Sequence, residues 1–376
     1  MKKKKLRSKD WFDNPKDPGL TALYLERYLN YGLTRKDLQS GKPIIGIAQS
    51  GSDLSPCNRH FLKLSKHIRR GIKEAGGVPM EFPTHPIQET GKRPTAALDR
   101  NLSYLSLVEV LYGYPLDGVV LTTGCDKTTP AALMAAATVN IPAIVLSGGP
   151  MLDGHYKGKK AGSGTIIWEA RKLYSKGEIN YDEFMDMATA SSPSEGHCNT
   201  MGTASTMNSI AEALGMSLPG SAIIPAPYPE RKIVSYKTGK RIVEMVNENL
   251  TPSKIMTKKA FENAVVVASA IGGSSNATTH LIAIAKQMGI KFDLTNWQKL
   301  GHKIPLLVNC QPAGEHLMEG FYRAGGVPGV MKELIKKKKL NSKVMTVTGK
   351  KLGENIKSKI KVNTDVIKNF ENNLTE

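Results

Sequence analysis

The sequence predicts an α/β fold, a parallel sheet flanked by helices, on three observations. Apolar runs of strand length recur at Pro43 to Gln49, Val78 to Phe82, Asp117 to Thr123 and Ala143 to Ser147. Between them lie segments of helical length and period, such as Phe61 to Glu74 and Pro130 to Val139. At 376 residues and 40% hydrophobic content, the chain can bury a large core. Strand runs alternating with helical segments argue for a parallel sheet covered by helices.

The first forty residues, with Trp11, Phe12 and the periodic stretch Leu20 to Tyr31, read as a helical arm that packs on the main domain. The main domain is expected over residues 41–345. From about Gly162 to Ala270 the pattern is mostly helical, and Ile304 to Asn309 reads as one more buried strand. Beyond Leu340 the chain becomes lysine-rich and less periodic. Residues 346–376, ending in the polar stretch Asn363 to Glu376, read as a connector toward a further domain.

Composition removes several classes of function. No apolar run reaches membrane-spanning length, and the basic start Met1 to Lys5 lacks the apolar core of a signal peptide, so a soluble cytoplasmic protein is expected, with no membrane partner. The net charge of +19 comes from lysines scattered along the chain, with short runs only at Lys2 to Lys5 and Lys336 to Lys339. That pattern and an aromatic content of 6% do not suit a nucleic-acid binder, so none is expected. Such a surface attracts small anions over long range. Four cysteines, at 57, 125, 198 and 310, are too few and too scattered for a disulfide scaffold.

Asp117 to Pro130 (DGVVLTTGCDKTTP) is the most informative stretch. A hydrophobic strand ends in Cys125, Asp126 and Lys127, at the carboxyl edge where open parallel sheets gather ligands, and Thr128 or Thr129 is positioned to cap the next helix with Pro130 in its first turn. Cys57 follows the first strand and opens the next helix, a place that favours a thiolate. Cys198, in EGHCNTMGTASTM, lies in a polar loop entering a helix of small residues. Three isolated thiols at such junctions fit an iron–sulfur cluster with one incompletely protected iron better than structural zinc, whose ligands come in close pairs. Cys310 reads as core. Glu89, in a polar loop after the second strand, pairs with Asp126 as a hard oxygen ligand for Mg²⁺, its alternative being an exposed turn. Gly272 to His280 (GGSSNATTH) offers either backbone amides for an anion or simple helix caps, and Gly148 and Gly149 are a similarly weak signal.

Taken together, SDLSPCNRH, HPIQETGKRPTAALDRN, LTTGCDKTTPA, LSGGPML, GHCNTMGTASTMNSIAEALGMSLPGSA and AIGGSSNATTHL resemble the dihydroxy-acid and sugar-acid dehydratase family, which includes phosphogluconate dehydratase. The likeness runs from about Trp11 to about Leu340. It implies that Cys57, Cys125 and Cys198 hold an iron–sulfur cluster, taken as 2Fe-2S in preference to 4Fe-4S. It also implies that Glu89, Asp126 and Lys127 hold Mg²⁺, with Lys127 carbamylated so that it presents an oxygen. Asp126 and Lys127 are then the catalytic residues of this chain.

The chemistry implied is dehydration of a 2,3-dihydroxy acid to a 2-keto-3-deoxy acid, with the C3 hydroxyl activated by iron and the C2 proton made more acidic by Mg²⁺. In the family a serine of a second, barrel-like C-terminal domain takes that proton, and that domain is expected to be absent here. His60 and His197 are read as packing or supporting residues rather than substitutes. LRSKDWFDNP, YLERYLNYGLT and GSDLSPCNRH resemble the pentonate enzymes, so arabinonate or xylonate is the expected substrate. The alternatives are the branched-chain amino acid enzyme and a non-catalytic remnant or half of a split enzyme. The family further implies a homodimer or tetramer, or pairing with a separate C-terminal half.

Overall fold

The computed structural model describes residues 6–88, 92, 97–356 and 360–375. The chain starts with three short helices, α1 (Lys9–Phe12), α2 (Pro18–Leu29) and α3 (Arg35–Gln39). Pro18 opens α2, where its missing N–H costs nothing, and the Asp17 side chain accepts from Leu20 N. Thr34 and Asp37 form a reciprocal capping box on α3. Phe12 is fully buried, edge-on to Tyr28 with ring centroids 5.1 Å apart. Asp117 ties this arm to the sheet by accepting from both Ser8 N and Ile44 N, at 3.0 and 2.8 Å.

Four parallel strands form the central sheet: β1 (Ile44–Gln49), β2 (Val78–Pro83), β3 (Gly118–Thr123) and β4 (Ala143–Ser147), in the order β2-β1-β3-β4. Each follows the expected apolar run to within a residue at either end. β1, β3 and β4 are buried along their whole length, which is why they read as continuous apolar runs rather than alternating ones. The crossovers are α4 (Phe61–Glu74), α5 (Ala97–Gly113) and α6 (Thr128–Val139). The chain leaves β1 toward one edge and later returns past it toward the other. Right-handed connections therefore put α4 on one face and α5 and α6 on the opposite face.

Burial of α4 follows its period, with Phe61, Leu64, Ile68 and Ile72 inward. α6 is buried on nearly every side, and its small residues let it sit between the sheet and further helices.

After β4 comes a hairpin of β5 (Gly154–Tyr156) and β6 (Lys159–Ala161), not expected from the sequence. Its two-residue turn, Lys157 and Gly158, has positive φ at both positions, the geometry that matches strand twist. The hairpin joins α7 (Thr165–Ser175) and α8 (Tyr181–Thr189) around a small separate apolar cluster of Ala161, Ile166, Ala170 and Met187. α9 (Thr203–Ala213), α10 (Pro229–Asn247), α11 (Pro252–Ile255), α12 (Lys258–Ala270) and α13 (Asn276–Gln287) complete the mostly helical stretch. α10 packs against α4, and α9 and α13 pack against α6. α14 (Leu294–Gly301), α15 (Met318–Arg323), α16 (Gly326–Lys336) and α17 (Leu352–Ile356) close the molecule.

One expectation is corrected. Ile304 to Asn309 is not a strand of the sheet. Leu307 and Val308 are buried, but the segment lies among helices and makes only an isolated antiparallel bridge, Val308 to Ile367. The described part of residues 346–376, the segment expected to lead toward a further domain, lies against the core, with Val347, Leu352, Ile356, Val366 and Ile367 buried. Few apolar residues in a lysine-rich stretch were enough to anchor it. No helix among the described residues is long and apolar enough to cross a membrane.

Candidate active site

The strand order reverses between β1 and β3, so the loops after these two strands splay apart and leave a crevice at the carboxyl edge. Thr122 stitches the two strands at this point, donating to Ala48 O at 2.7 Å and accepting from Ser50 N at 2.9 Å. The β1 loop delivers Cys57 and the β3 loop delivers Cys125, Asp126 and Lys127. From the loop after β2, Gln88 Oε1 accepts from Cys57 N at 3.1 Å. From the loop after β4, Pro150 bridges to His197, with His197 N donating to Gly149 O at 3.0 Å, which fixes the neighbouring Cys198.

Gly124 is required where these loops meet. A Cβ there would stand 2.4 Å from Asn58 Oδ1, and Asn58 is fully buried with both side-chain polar atoms unpartnered. A pair of orphaned buried atoms beside two cysteines is costly unless a further group completes the site.

The three thiols face one another. Cys57 hydrogen-bonds to Cys125, and that contact, burial and the proximity of Cys198 push the Cys57 thiol far above its ordinary range. Burial, then Cys125, raises the thiol of Cys198 too. The expectation of a thiolate favoured at a helix start is thereby corrected. Cys57 sits in a single 3-10 turn, Pro56–Asn58, ahead of α4, and neighbouring thiols and burial outweigh any dipole. Such a cluster of thiols loses its protons readily only to a metal group. Cys310 lies apart, its Sγ 3.9 Å from Leu317 O and its thiol pushed up to about 12 by burial.

Beside the thiols, Lys127 Nζ donates to Asp126 Oδ1 at 2.8 Å with both side chains buried. Burial alone would raise the Asp126 carboxyl, but His280 and Lys127 outweigh it and hold the group below its usual range. His280 Nε2 stands 3.6 Å from the same oxygen, and Arg100 donates to the other ring nitrogen at 3.1 Å. Neither Arg100 nor His280 received a role from the sequence, although both fall within the motifs quoted above. The cap expected of Thr128 or Thr129 is corrected. Lys127 holds the N-cap position of α6 without a side-chain cap, while Thr128 Oγ1 closes the turn by donating to Cys125 O and accepting from Gly124 N. Glu89 lies outside the described residues.

His60 and His197 are buried and anchored on carbonyls. His60 donates through Nε2 to Gly148 O at 2.9 Å, and His197 through Nδ1 to Cys198 O at 3.0 Å. Burial lowers both, His197 to about 3. In the Gly272 to His280 stretch, Ser274 N donates to Thr206 Oγ1, and Ser274 Oγ pairs with Thr203 Oγ1, so this loop is spent partly on joining α13 to α9. A surface cavity of about 540 Å³ between α16 and the C-terminal segment shares no residue with these loops. Among the described residues, no three His, Cys, Asp or Glu side chains come close enough to hold a single metal ion.

A doubly wound sheet with thiols and an acid–lysine pair gathered at its switch point defines an α/β protein whose site is built from loops at one sheet edge. The chain belongs to the dihydroxy-acid/6-phosphogluconate dehydratase N-terminal family, whose model matches residues 42–355. It is 58% identical to D-xylonate dehydratase of Caulobacter vibrioides, over 99% of this chain and 62% of that protein. It is 45% identical to L-arabinonate dehydratase of Rhizobium leguminosarum bv. trifolii, over 100% of this chain and 65% of that protein. Dihydroxy-acid dehydratase of Caldanaerobacter subterraneus subsp. tengcongensis is 40% identical over 92% of this chain and 63% of its own length. The chain thus spans less than two thirds of the length of these relatives.

Proposed function

We propose that this chain carries the cofactor-binding part of a hydro-lyase that dehydrates a 2,3-dihydroxy sugar acid of the xylonate or arabinonate type to its 2-keto-3-deoxy acid. The observation that supports it most is the convergence of Cys57, Cys125 and Cys198 at the sheet's switch point, next to the buried Asp126–Lys127 pair. The names and identities of the two pentonate dehydratases support the substrate class.

The residues fit the two groups the family resemblance implies. Three soft thiols that influence one another suit an iron–sulfur cluster, taken as 2Fe-2S from the family resemblance. Asp126 offers a hard oxygen to Mg²⁺, and Glu89 is assigned to the same ion. When bound, the cluster supplies a Lewis acid for the departing C3 hydroxyl, and Mg²⁺ polarises the carboxylate end of the substrate.

As an ammonium, Lys127 opposes a cation at Asp126. Its role as a ligand requires carbamylation: the ammonium first loses one proton, the freed Nζ lone pair bonds the carbon of CO₂ as a C–O π pair moves onto oxygen, and a second proton leaves Nζ to give the N-carboxylate. The reaction itself balances simply. The C2 proton and the C3 hydroxide leave together as water, and the resulting enol tautomerises to the keto acid. His60 and His197 serve to fix the carbonyls of Gly148 and Cys198, since burial has made both weak bases.

Anaerobic purification with an iron count and a visible spectrum tests this reading. The expected result is a cluster-bearing chain whose absorption disappears in Cys125→Ser and survives in Asp126→Asn. A colourless, iron-free unaltered chain, or a full spectrum in Cys125→Ser, overturns the cluster assignment. Assay of the cluster-bearing chain on xylonate, arabinonate and dihydroxyisovalerate with Mg²⁺ tests the substrate class, and turnover of the branched acid alone reverses it.

A further inference from the structure

His280 has a tautomer that the structure dictates. A guanidinium can only donate, so the 3.1 Å contact from Arg100 Nη1 makes His280 Nδ1 the acceptor and leaves the ring proton on Nε2. Arg100 is itself fixed, because its Nε and Nη2 both donate to Asn101 Oδ1, at 3.2 and 3.0 Å. The Nε2–H is buried, makes no hydrogen bond within reach, and points toward Asp126 Oδ1 across 3.6 Å. In the structure as it stands, the Lys127 ammonium occupies that oxygen at 2.8 Å. α13, which carries His280, packs directly on α6, which begins after Lys127, so the ring is held by two packed helices rather than by a loop.

We propose that Arg100 and His280 are positioning residues for Asp126: the Arg100-locked ring donates through Nε2 to Oδ1 once Lys127 stops doing so, which would hold the carboxylate in place as a ligand for the cation. The inference rests on the reading of Asp126 as a cation ligand. An Asp126 whose Oδ1 is paired with an ammonium and an Asp126 that shares a cation with a carbamylated Lys127 are exclusive states. A neutral donor such as His280 is compatible with both, because it adds no charge to repel the metal. Closing a gap of 3.6 Å to hydrogen-bond distance asks for less than 1 Å of movement.

Mn²⁺ binding to the full chain, followed by electron paramagnetic resonance, tests the relay in the unaltered protein, Asp126→Asn, His280→Leu, His280→Gln and Arg100→Met. His280→Leu is expected to weaken Mn²⁺ about tenfold, Arg100→Met to weaken it in the same direction, and His280→Gln, whose amide N–H reaches the same place, to stay near the unaltered affinity. A merely structural role would lower the metal-free melting temperature of all three variants and spare the affinity of the folded protein. Loss of binding in Asp126→Asn with unaltered affinity in His280→Leu overturns the relay alone. Should His280→Leu fail to fold, unaltered affinity in Arg100→Met overturns it instead. Absence of Mn²⁺ binding by the unaltered chain, or its survival in Asp126→Asn, overturns the metal reading on which the relay rests.

Discussion

Glu212 is fully buried on α9, its carboxylate accepting from Gly220 N at 2.6 Å and Ala222 N at 2.9 Å. Burial outweighs those bonds and the nearby Arg231, raising the group to about 7. A raised acid binds its proton more tightly in the folded state, so its stabilising contribution is full below about pH 4.5 and is lost as pH rises through about 7. Relative to Glu212→Gln, the unaltered chain should lose up to about 3 kcal/mol between pH 5 and pH 8, read from urea unfolding across that range. Parallel pH profiles for the two proteins would show that Glu212 stays ionised throughout. At the same scale, the site was half legible. Cys57, Cys125, Asp126 and Lys127 announced themselves by following strands, and Cys198 by its polar loop entering a helix, whereas His280 and Arg100 act through each other from separate helices, and nothing in their spacing shows that they meet.

Among the elements, the crossing of α4 and α10 depends on two glycines. A Cβ at Gly71 would stand 2.1 Å from Tyr236 O, and one at Gly239 would stand 2.2 Å from Ile68 O. The two backbones touch, and this contact seats α4 on β1 and β2 and α10 on β3 and β4. Gly239→Ala should therefore destabilise the chain by about 1–3 kcal/mol despite the better helix propensity of alanine, measured as a shift in the urea midpoint. A midpoint equal to or above that of the unaltered chain would show that the helices can part without cost. Helix period and apolar runs made α4, α6 and the four strands readable, because burial of a whole strand or one helix face leaves a local pattern. The β5–β6 hairpin left none, since two three-residue strands are too short to carry a period.

For the whole molecule, one apolar cluster runs from Phe12 to Ile367, joining the N-terminal helices, the sheet and the C-terminal segment. Lys368 N donates to Leu307 O at 2.7 Å, Asn309 N to Val366 O at 2.8 Å, and Val347 N to Gly215 O at 2.8 Å, so the described residues of the C-terminal segment close over the interior by backbone bonds as well as side chains. Removing residues 346–376 should expose Leu307 and Val308, lower the melting temperature and raise binding of a hydrophobic dye. An unchanged melting temperature would make that segment a passive tail. The charge of +19 belongs to this scale too, since it describes the field felt by an approaching anion rather than any one contact.

The sequence by itself determined the fold class, the strand positions and the family, because fully buried strands and loop motifs at their ends are written locally in residue type. Only the tertiary structure decided that three cysteines share one space, that Cys57 is raised rather than lowered, and that the lysine-rich end packs. Each of these depends on distances between segments remote in the chain, and on a balance of burial against neighbouring charge that residue order does not record.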